Sequence, residues 1–222
     1  MPKLALFDLD HTLLSGDSDV LWCEFLMDRG VLDRAEFQPR NDEMARRYRT
    51  GSVSAEDFCA FYVSTLAGRT LAEWRVVCED FLSEIVAPRI PSSARDLVET
   101  HRTLGHRLVM TTATNRVLTE LTAQHLRIDT LLATEVEVVD ARCTGRTCGV
   151  LNMREGKVTR LRTWLGEQGQ GAEALHEAVF YSDSINDLPL MQLVGEPVAV
   201  DPDPRLRAHA ASAGWRCMEL AR

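Results

Sequence analysis

The chain opens on a short apolar run, residues 3–7 (Lys-Leu-Ala-Leu-Phe), that stops at an acid, Asp8. A run this short, apolar without alternation, predicts a strand covered on both faces, as in a parallel sheet. Similar runs recur at Arg107–Thr111, Ala178–Tyr181 and Pro197–Val200, with a weaker one at Leu131–Ala133. Between them, apolar residues at helical spacing predict helices over Ser92–Leu104, Asn115–His125, Lys157–Glu167, Asp187–Val194 and Asp203–Ala211. Strands alternating with helices predict an α/β fold: a parallel sheet with helices on both faces. In such sheets the ligand crevice lies at the carboxyl ends of the strands.

One stretch breaks the alternation. From Asp17 to Ala87 the pattern is helical, with no convincing strand; the spacing predicts helices over Val20–Arg29, Ala55–Leu66 and Leu71–Ile85. Thr50–Ser54 reads as a loop, with Ser54 as the N-cap of the helix that follows. Turn-type sequences bound the stretch, Ser15-Gly16 before it and Pro88–Pro91 after it. The reading is therefore a core of residues 1–16 and 88–222 and a helical insertion of residues 17–87. Inserted after the first strand, the helices overhang its carboxyl end, where a lid belongs. Val136–Val139 and the residues around Arg142 predict a small hairpin turning at Asp140-Ala141, and Gly166–Gly171 reads as a loop.

Composition narrows the functional classes. A chain of 222 residues that is 45% hydrophobic can bury a sizeable core. The net charge of −8, with no long basic run, argues against a nucleic-acid or anionic-membrane partner, though not against a small anion held locally. The N-terminal apolar run is too short for a signal peptide. No stretch approaches the roughly 18 apolar residues of a membrane span. The cytoplasm is the expected compartment. The six cysteines include no Cys-x-x-Cys pair, and the close pair Cys143 and Cys148 has no histidine nearby, so idle thiols are expected rather than a zinc site.

Four groups of residues carry candidate chemistry. Asp8-Leu9-Asp10-His11-Thr12-Leu13 follows the first strand, so two acids can reach one crevice. One carboxylate can attack phosphorus. The other can protonate a leaving oxygen and then deprotonate water. The plainer reading is a capping Asp pair. Asp183 and Asp187, in Tyr181–Asp187, supply hard oxygen donors of the kind Mg²⁺ takes; alternatively Asp187 only favours a helix N-terminus. Thr112-Ala113-Thr114-Asn115 offers a hydroxyl and backbone N–H groups for an anion, or merely an ordinary N-cap. Lys157 sits at a predicted helix start, where the dipole disfavours a cation. Serving a phosphate would explain it, and so would an unpatterned surface position.

Taken in chain order, Asp8-x-Asp10-x-Thr12, Thr112, Lys157, and Asp183 with Asp187 resemble the haloacid dehalogenase superfamily. The helical insertion is similar to that of its phosphoserine-phosphatase-like branch. The resemblance spans nearly the whole chain. It implies a Rossmann-like core with a helical cap. It implies Asp8 as nucleophile and Asp10 as general acid/base. It implies Mg²⁺ held by Asp8, the Asp10 carbonyl and Asp183, with Asp187 in support. Thr112, Ala113 and Lys157 would bind the phosphoryl oxygens, and Asn186 would add a hydrogen bond. Superfamily dehalogenases attack carbon and need no acid at position 10, so Asp10 points to phosphoryl transfer.

The implied substrate is a small phosphorylated metabolite. Phosphoserine phosphatases place an acid in the first cap segment for the substrate amine, and Asp17 falls there by spacing. They also use a cap arginine for the substrate carboxylate; aligned on Gly51, the matching residue here is Tyr62. Asp17 and Asp19 favour a cationic substrate, or else cap the helix that follows. An acidic cap without the arginine fits a phosphorylated amino alcohol, with L-histidinol phosphate the leading candidate. Phosphoserine hydrolysis, phosphotransfer or phosphomutation on the same core, and a phospho-acceptor signalling domain are the alternatives. The last is shorter, has no helical insertion and needs no acid at position 10.

Overall fold

A computed structural model describes residues 2–221. Its seven strands are β1 (Leu4–Phe7), β2 (Arg107–Asn115), β3 (Thr130–Val139), β4 (Arg142–Cys148), β5 (Val179–Ser182), β6 (Glu196–Val200) and β7 (Arg216–Met218). They form one sheet in the order β4-β3-β2-β1-β5-β6-β7. Every pairing is parallel except β3 with β4. The α/β class read from the sequence is the fold observed.

Side-chain alternation along β1 shows why its run is unbroken. Ala5 and Phe7 point into one apolar cluster, Leu4 and Leu6 into another. The first cluster takes in helices α5 (Ser92–Thr103) and α6 (Arg116–His125); the second takes in α7 (Glu155–Glu167), α8 (Leu188–Met191) and α9 (Pro204–Ala213). A strand buried on both faces has no position at which a polar residue is cheap.

Between β1 and β2 lie α1 (Ser18–Asp28), α2 (Arg34–Thr50), α3 (Ala55–Ser64) and α4 (Leu71–Phe81), then a π-helical turn at Leu82–Val86 and a 3₁₀ turn at Ala87–Arg89. The N-caps are side chains: Asp17, Asp33, Ser54 and Thr70 each accept from a backbone N–H of the following turn. These helices pack in two ways. Trp22, Phe25, Trp74 and Phe81 join the cluster on one face of the sheet. Cys23, Met27, Met44, Phe58 and Tyr62 form a smaller cluster with Met153, which precedes α7. The insertion thus shares one core with the sheet and forms a second with residues just before α7.

Several elements differ from the sequence reading. Strand β2 continues through Asn115 instead of ending at Thr111, with a register shift against β3 between Thr111 and Asn115. Thr112 is therefore a strand residue, and Asn115 is the N-cap of α6, accepting from the Leu118 N–H. The stretch Asp187–Val194 contains only the end of a 3₁₀ turn, Ile185–Asp187, and the four-residue α8; Pro189, in the first turn of α8, has no N–H to make that turn and α8 one helix. Helix α2 lacked a pattern because only Asn41, Met44 and Ala45 of its 17 residues are buried. The hairpin turns at Asp140-Ala141, whose φ angles of 49° and 63° are both left-handed, as a two-residue hairpin turn needs. Among the described residues no helix is long and apolar enough to cross a membrane.

Candidate active site

The site lies where β1, β2 and β5 end. The Asp8 N–H donates to the Tyr181 carbonyl, 3.0 Å away, so backbone hydrogen bonding fixes Asp8 beside β5. The chain then folds into a tight loop. Leu14 N–H reaches the Leu9 carbonyl, His11 N–H reaches Gly16, and Leu9 and Leu13 are fully buried. Gly16, at φ 136°, supplies a backbone conformation that L side chains rarely adopt. This loop returns Asp10 to the same crevice as Asp8.

Lys157, in the first turn of α7, reaches across to Asp8. Its Nζ lies 2.7 Å from Asp8 Oδ1 and 2.8 Å from Asp187 Oδ2. Asp187 also accepts from the Ser182 hydroxyl at 2.7 Å. The Thr12 hydroxyl stands between Asp8 and Asp183, 3.4 Å from one carboxylate and 3.3 Å from the other, and accepts from the Asp183 N–H at 3.0 Å. Asp10 accepts from the Ser18 N–H at 2.6 Å, the Thr112 hydroxyl at 3.3 Å and the Thr114 hydroxyl at 2.9 Å.

Lys157 is the cation that Asp8 and Asp187 contact, and Asp183 lies within its field. Burial pushes the Asp8 carboxyl up to about 7; Lys157 opposes that rise, and Asp187 and Asp10 add to it. Burial raises Asp183 well above the ordinary carboxylate range, with Asp8 and Asp187 acting in the same direction. Burial alone would lower the Lys157 ammonium, but Asp187 and Asp8 hold it above its usual value. The cluster carries more buried negative charge than it compensates.

These groups enclose a cavity of about 30 Å³ lined by Asp8, Asp10, Ala113, Lys157, Asp183, Asn186 and Asp187. That is roughly the volume of one water molecule or small ion. Among the described residues no three His, Cys, Asp or Glu side chains form a metal cage by themselves. Buried carboxylates with surplus negative charge around a cavity of this size suit a hard divalent ion that keeps water ligands, as Mg²⁺ does.

The other candidate residues, Thr112, Asp17, Asp19 and Tyr62, do not line this cavity. The Thr112 hydroxyl donates to Asp10 and accepts from the Thr114 N–H, while its carbonyl accepts from Asn152. Asp17 caps α1, accepting from Asp19 N–H and Val20 N–H. Burial lifts it to about 7, with Asp10 adding to the rise. Asp19 is buried, and its Oδ2 lies 3.0 Å from the Thr114 hydroxyl that also faces Asp10. One hydroxyl proton is thus shared between two carboxylates. Asp19 Oδ1 and the Tyr62 hydroxyl are buried without a hydrogen-bond partner. Burial raises the Tyr62 phenol, and the fields of Asp17 and Asp19 reinforce it. Position 62 therefore faces the acids of α1.

Sequence reasoning missed four cavity residues: His11, Tyr48, Met153 and Ser184. It also missed Arg154, whose Nε donates to Asn186 Oδ1 at 3.3 Å. Met153, Arg154 and Ser184 sit next to recognised motifs, so proximity was a usable signal. Tyr48 had none, lying on the helix with the weakest pattern.

An acid at the end of the central strand, a second acid two residues on, a buried lysine and a further acid pair define a haloacid dehalogenase-like hydrolase. The chain belongs to that family, whose model matches residues 5–192. It is 37% identical over 97% of both chains to the histidinol-phosphatase of Neisseria meningitidis serogroup C (strain 8013). It is 33% identical to phosphoserine phosphatase SerB1 of Mycobacterium tuberculosis (strain ATCC 25618 / H37Rv), covering 97% of this chain and 70% of that one. A crystal structure of a protein of unknown function from Bordetella pertussis Tohama I superposes with a TM-score of 0.93 at 39% identity over the full length of both.

Proposed function

We propose that the protein is a Mg²⁺-dependent phosphatase that hydrolyses a small phosphorylated metabolite through an aspartyl-phosphate on Asp8. Residues 1–16 and 88–222 form the catalytic core in this reading, and residues 17–87 act as its cap. The observation that carries it is the contact of Lys157 with both Asp8 and Asp187 beside a cavity that Asp10 and Asp183 also line.

In the first step Asp8 attacks phosphorus and the bond to the leaving oxygen breaks. Asp10 gives its proton to that oxygen, so the product leaves as a neutral alcohol. In the second step Asp10 takes a proton from water, the water oxygen bonds to phosphorus, and the Asp8–phosphorus bond breaks to release phosphate. Lys157, with Thr112 and Ala113, binds phosphoryl oxygens and offsets the charge of one anion attacking another. Asn186 adds a hydrogen bond. Asp8, the Asp10 carbonyl and Asp183 would hold Mg²⁺, with Asp187 in support; the ion supplies charge neutralisation at the phosphoryl group.

L-Histidinol phosphate is the substrate we favour. It brings an amine and an imidazole but no carboxylate. Asp17, Asp19 and Tyr62 offer negative charge and two unpartnered buried polar atoms where a cationic group would be neutralised. Phosphoserine also carries a carboxylate, for which Tyr62 provides no positive partner. Phosphate release from the two substrates, with Mg²⁺ and with EDTA, tests the reading. The expected result is a higher kcat/KM for L-histidinol phosphate and loss of activity in EDTA. Equal or better turnover of phosphoserine would end the substrate assignment. Transfer of phosphate to added alcohols instead of water would favour a phosphotransferase.

A further inference from the structure

One residue beside the cavity is held in a conformation its type disfavours. Arg154, the N-cap of α7, has φ 52° and ψ −124° and makes no side-chain capping bond. A side chain with a Cβ is strained in this region, so surrounding contacts must hold it there. Those contacts run in two directions. Nε donates to Asn186 Oδ1 at 3.3 Å, and Nη2 donates to the Val53 carbonyl at 3.1 Å, in the loop between α2 and α3. Tyr48, from the last turn of α2, lines the same cavity as Asn186. The Tyr48 ring is fixed in turn by Phe58 of α3, with centroids 4.6 Å apart.

We infer that Arg154 is a clasp that holds the inserted helices down over Asp8 and fixes the position of Asn186. It joins one core residue, Asn186, to one residue of the insertion, Val53. Asn186 lines the cavity together with Tyr48 of the insertion, so opening the insertion releases a cavity residue along with the cover. Arg154 is a positioning residue here, acting through Asn186. The kinetic consequence rests on the phosphatase reading; the structural consequence does not.

The test uses Arg154→Ala and Arg154→Gly in the full chain, without ligand. Amide hydrogen exchange over residues 51–55 and 184–187 should speed up in both variants relative to wild type. The glycine variant should be more stable than the alanine variant, because only glycine accepts φ 52° without strain, yet the two should loosen equally. With substrate, kcat/KM should fall by about tenfold, more through KM than through kcat, as expected for losing one or two hydrogen bonds that favour the closed form. Arg154→Lys, able to reach one acceptor but not both, should recover part of the loss. Unchanged exchange in the two segments in both Arg154 variants would overturn the clasp, as would an Arg154→Gly protein that behaves like wild type while Arg154→Ala does not. If no substrate were turned over but exchange sped up as described, the clasp would stand and only the phosphatase reading would fail.

Discussion

Lys157 stands between Asp8 and Asp187, within 2.8 Å of both carboxylates, and all three side chains are almost wholly out of solvent contact. Two buried acids this close would repel strongly without the ammonium, and the ammonium would not stay buried without them. The contact also constrains Asp8. In the proposed reaction the ammonium would share its donors between Asp8 Oδ1 and the incoming phosphoryl oxygens.

Lys157→Met should therefore damage both stability and turnover. Removing one partner from a buried charge pair costs about 3–5 kcal/mol. Loss of a cation that stabilises phosphoryl charge should lower kcat by about 10²-fold or more. Urea unfolding and phosphate release measure the two effects separately. A variant as stable and active as wild type would remove Lys157 from the site.

Asp8→Asn separates chemistry from architecture. The amide keeps the side chain's size and can still accept a hydrogen bond from Lys157, which retains Asp187. Turnover should fall by more than about 10³-fold, as when a nucleophile is removed elsewhere, while the unfolding transition stays cooperative. Substantial residual turnover would refute the nucleophile assignment.

Much of this site was legible from sequence, and the reason is local. Asp8, Asp10, Asp183 and Asp187 lie within a few residues of a strand end, so the position of a short apolar run placed them. Lys157 stood out because it conflicts with the helix dipole. Thr112 was harder to place. The run Thr111-Thr112-Ala113-Thr114 suits either a strand or a cap, and pairing with β3 decides for the strand. Tyr48 could not be found, since α2 buries few residues and its place in the cavity is fixed by how α2 and α3 pack. Strand β7 escaped for a similar reason: three mostly exposed residues carry no alternation to read.

The unpartnered atoms at Asp19 and Tyr62 give a prediction of mixed sign. A buried hydroxyl without a partner costs free energy that phenylalanine does not pay, so Tyr62→Phe should be neutral or stabilising by about 1 kcal/mol. If that hydroxyl meets the substrate, the same change should raise KM for L-histidinol phosphate by about fivefold or more. Asp19→Asn should weaken the substrate's cationic end further. Variants with unaltered KM would remove these residues from substrate recognition.

Away from the site, His101 sets an acid limit on stability. Its Nδ1 lies 2.8 Å from His106 Nδ1 and its Nε2 lies 2.8 Å from the Tyr181 hydroxyl. Burial, then the neighbouring His106 and Lys3, lower its pKa to about 4 from the ordinary 6.5. The folded state thus prefers the neutral ring, while the unfolded chain binds a proton below about pH 6.5. The stability this group contributes is complete above pH 6.5 and is lost as pH falls through 4. Urea unfolding at pH 7 and pH 5 should show a drop for wild type that is smaller in His101→Phe, even if that variant is less stable at pH 7. Equal drops in the two proteins would rule out His101 as the source.

Gly156, next to Lys157, tests how tightly the start of α7 is fixed. A Cβ at this position would lie 1.8 Å from the Leu151 carbonyl oxygen, a backbone atom that cannot rotate away. Leu151 in turn precedes Asn152, whose amide nitrogen lies within 3.0 Å of the Thr111 hydroxyl and the carbonyls of Thr112 and Leu132 and shares its two protons among them. The backbone around Leu151 is thus tied to β2 and β3 and has little room to yield. Gly156→Ala should consequently move α7 instead, displacing Lys157 from Asp8. Overpacking of this kind costs about 1–3 kcal/mol, and a misplacement of about 1 Å at a catalytic group can cost about 10²-fold in rate. Stability and kcat should fall together, whereas Gly166→Ala on the same helix, where the added Cβ meets nothing within 4 Å, should leave both near wild type. Wild-type turnover in Gly156→Ala would mean that the first turn of α7 absorbs the methyl without moving Lys157.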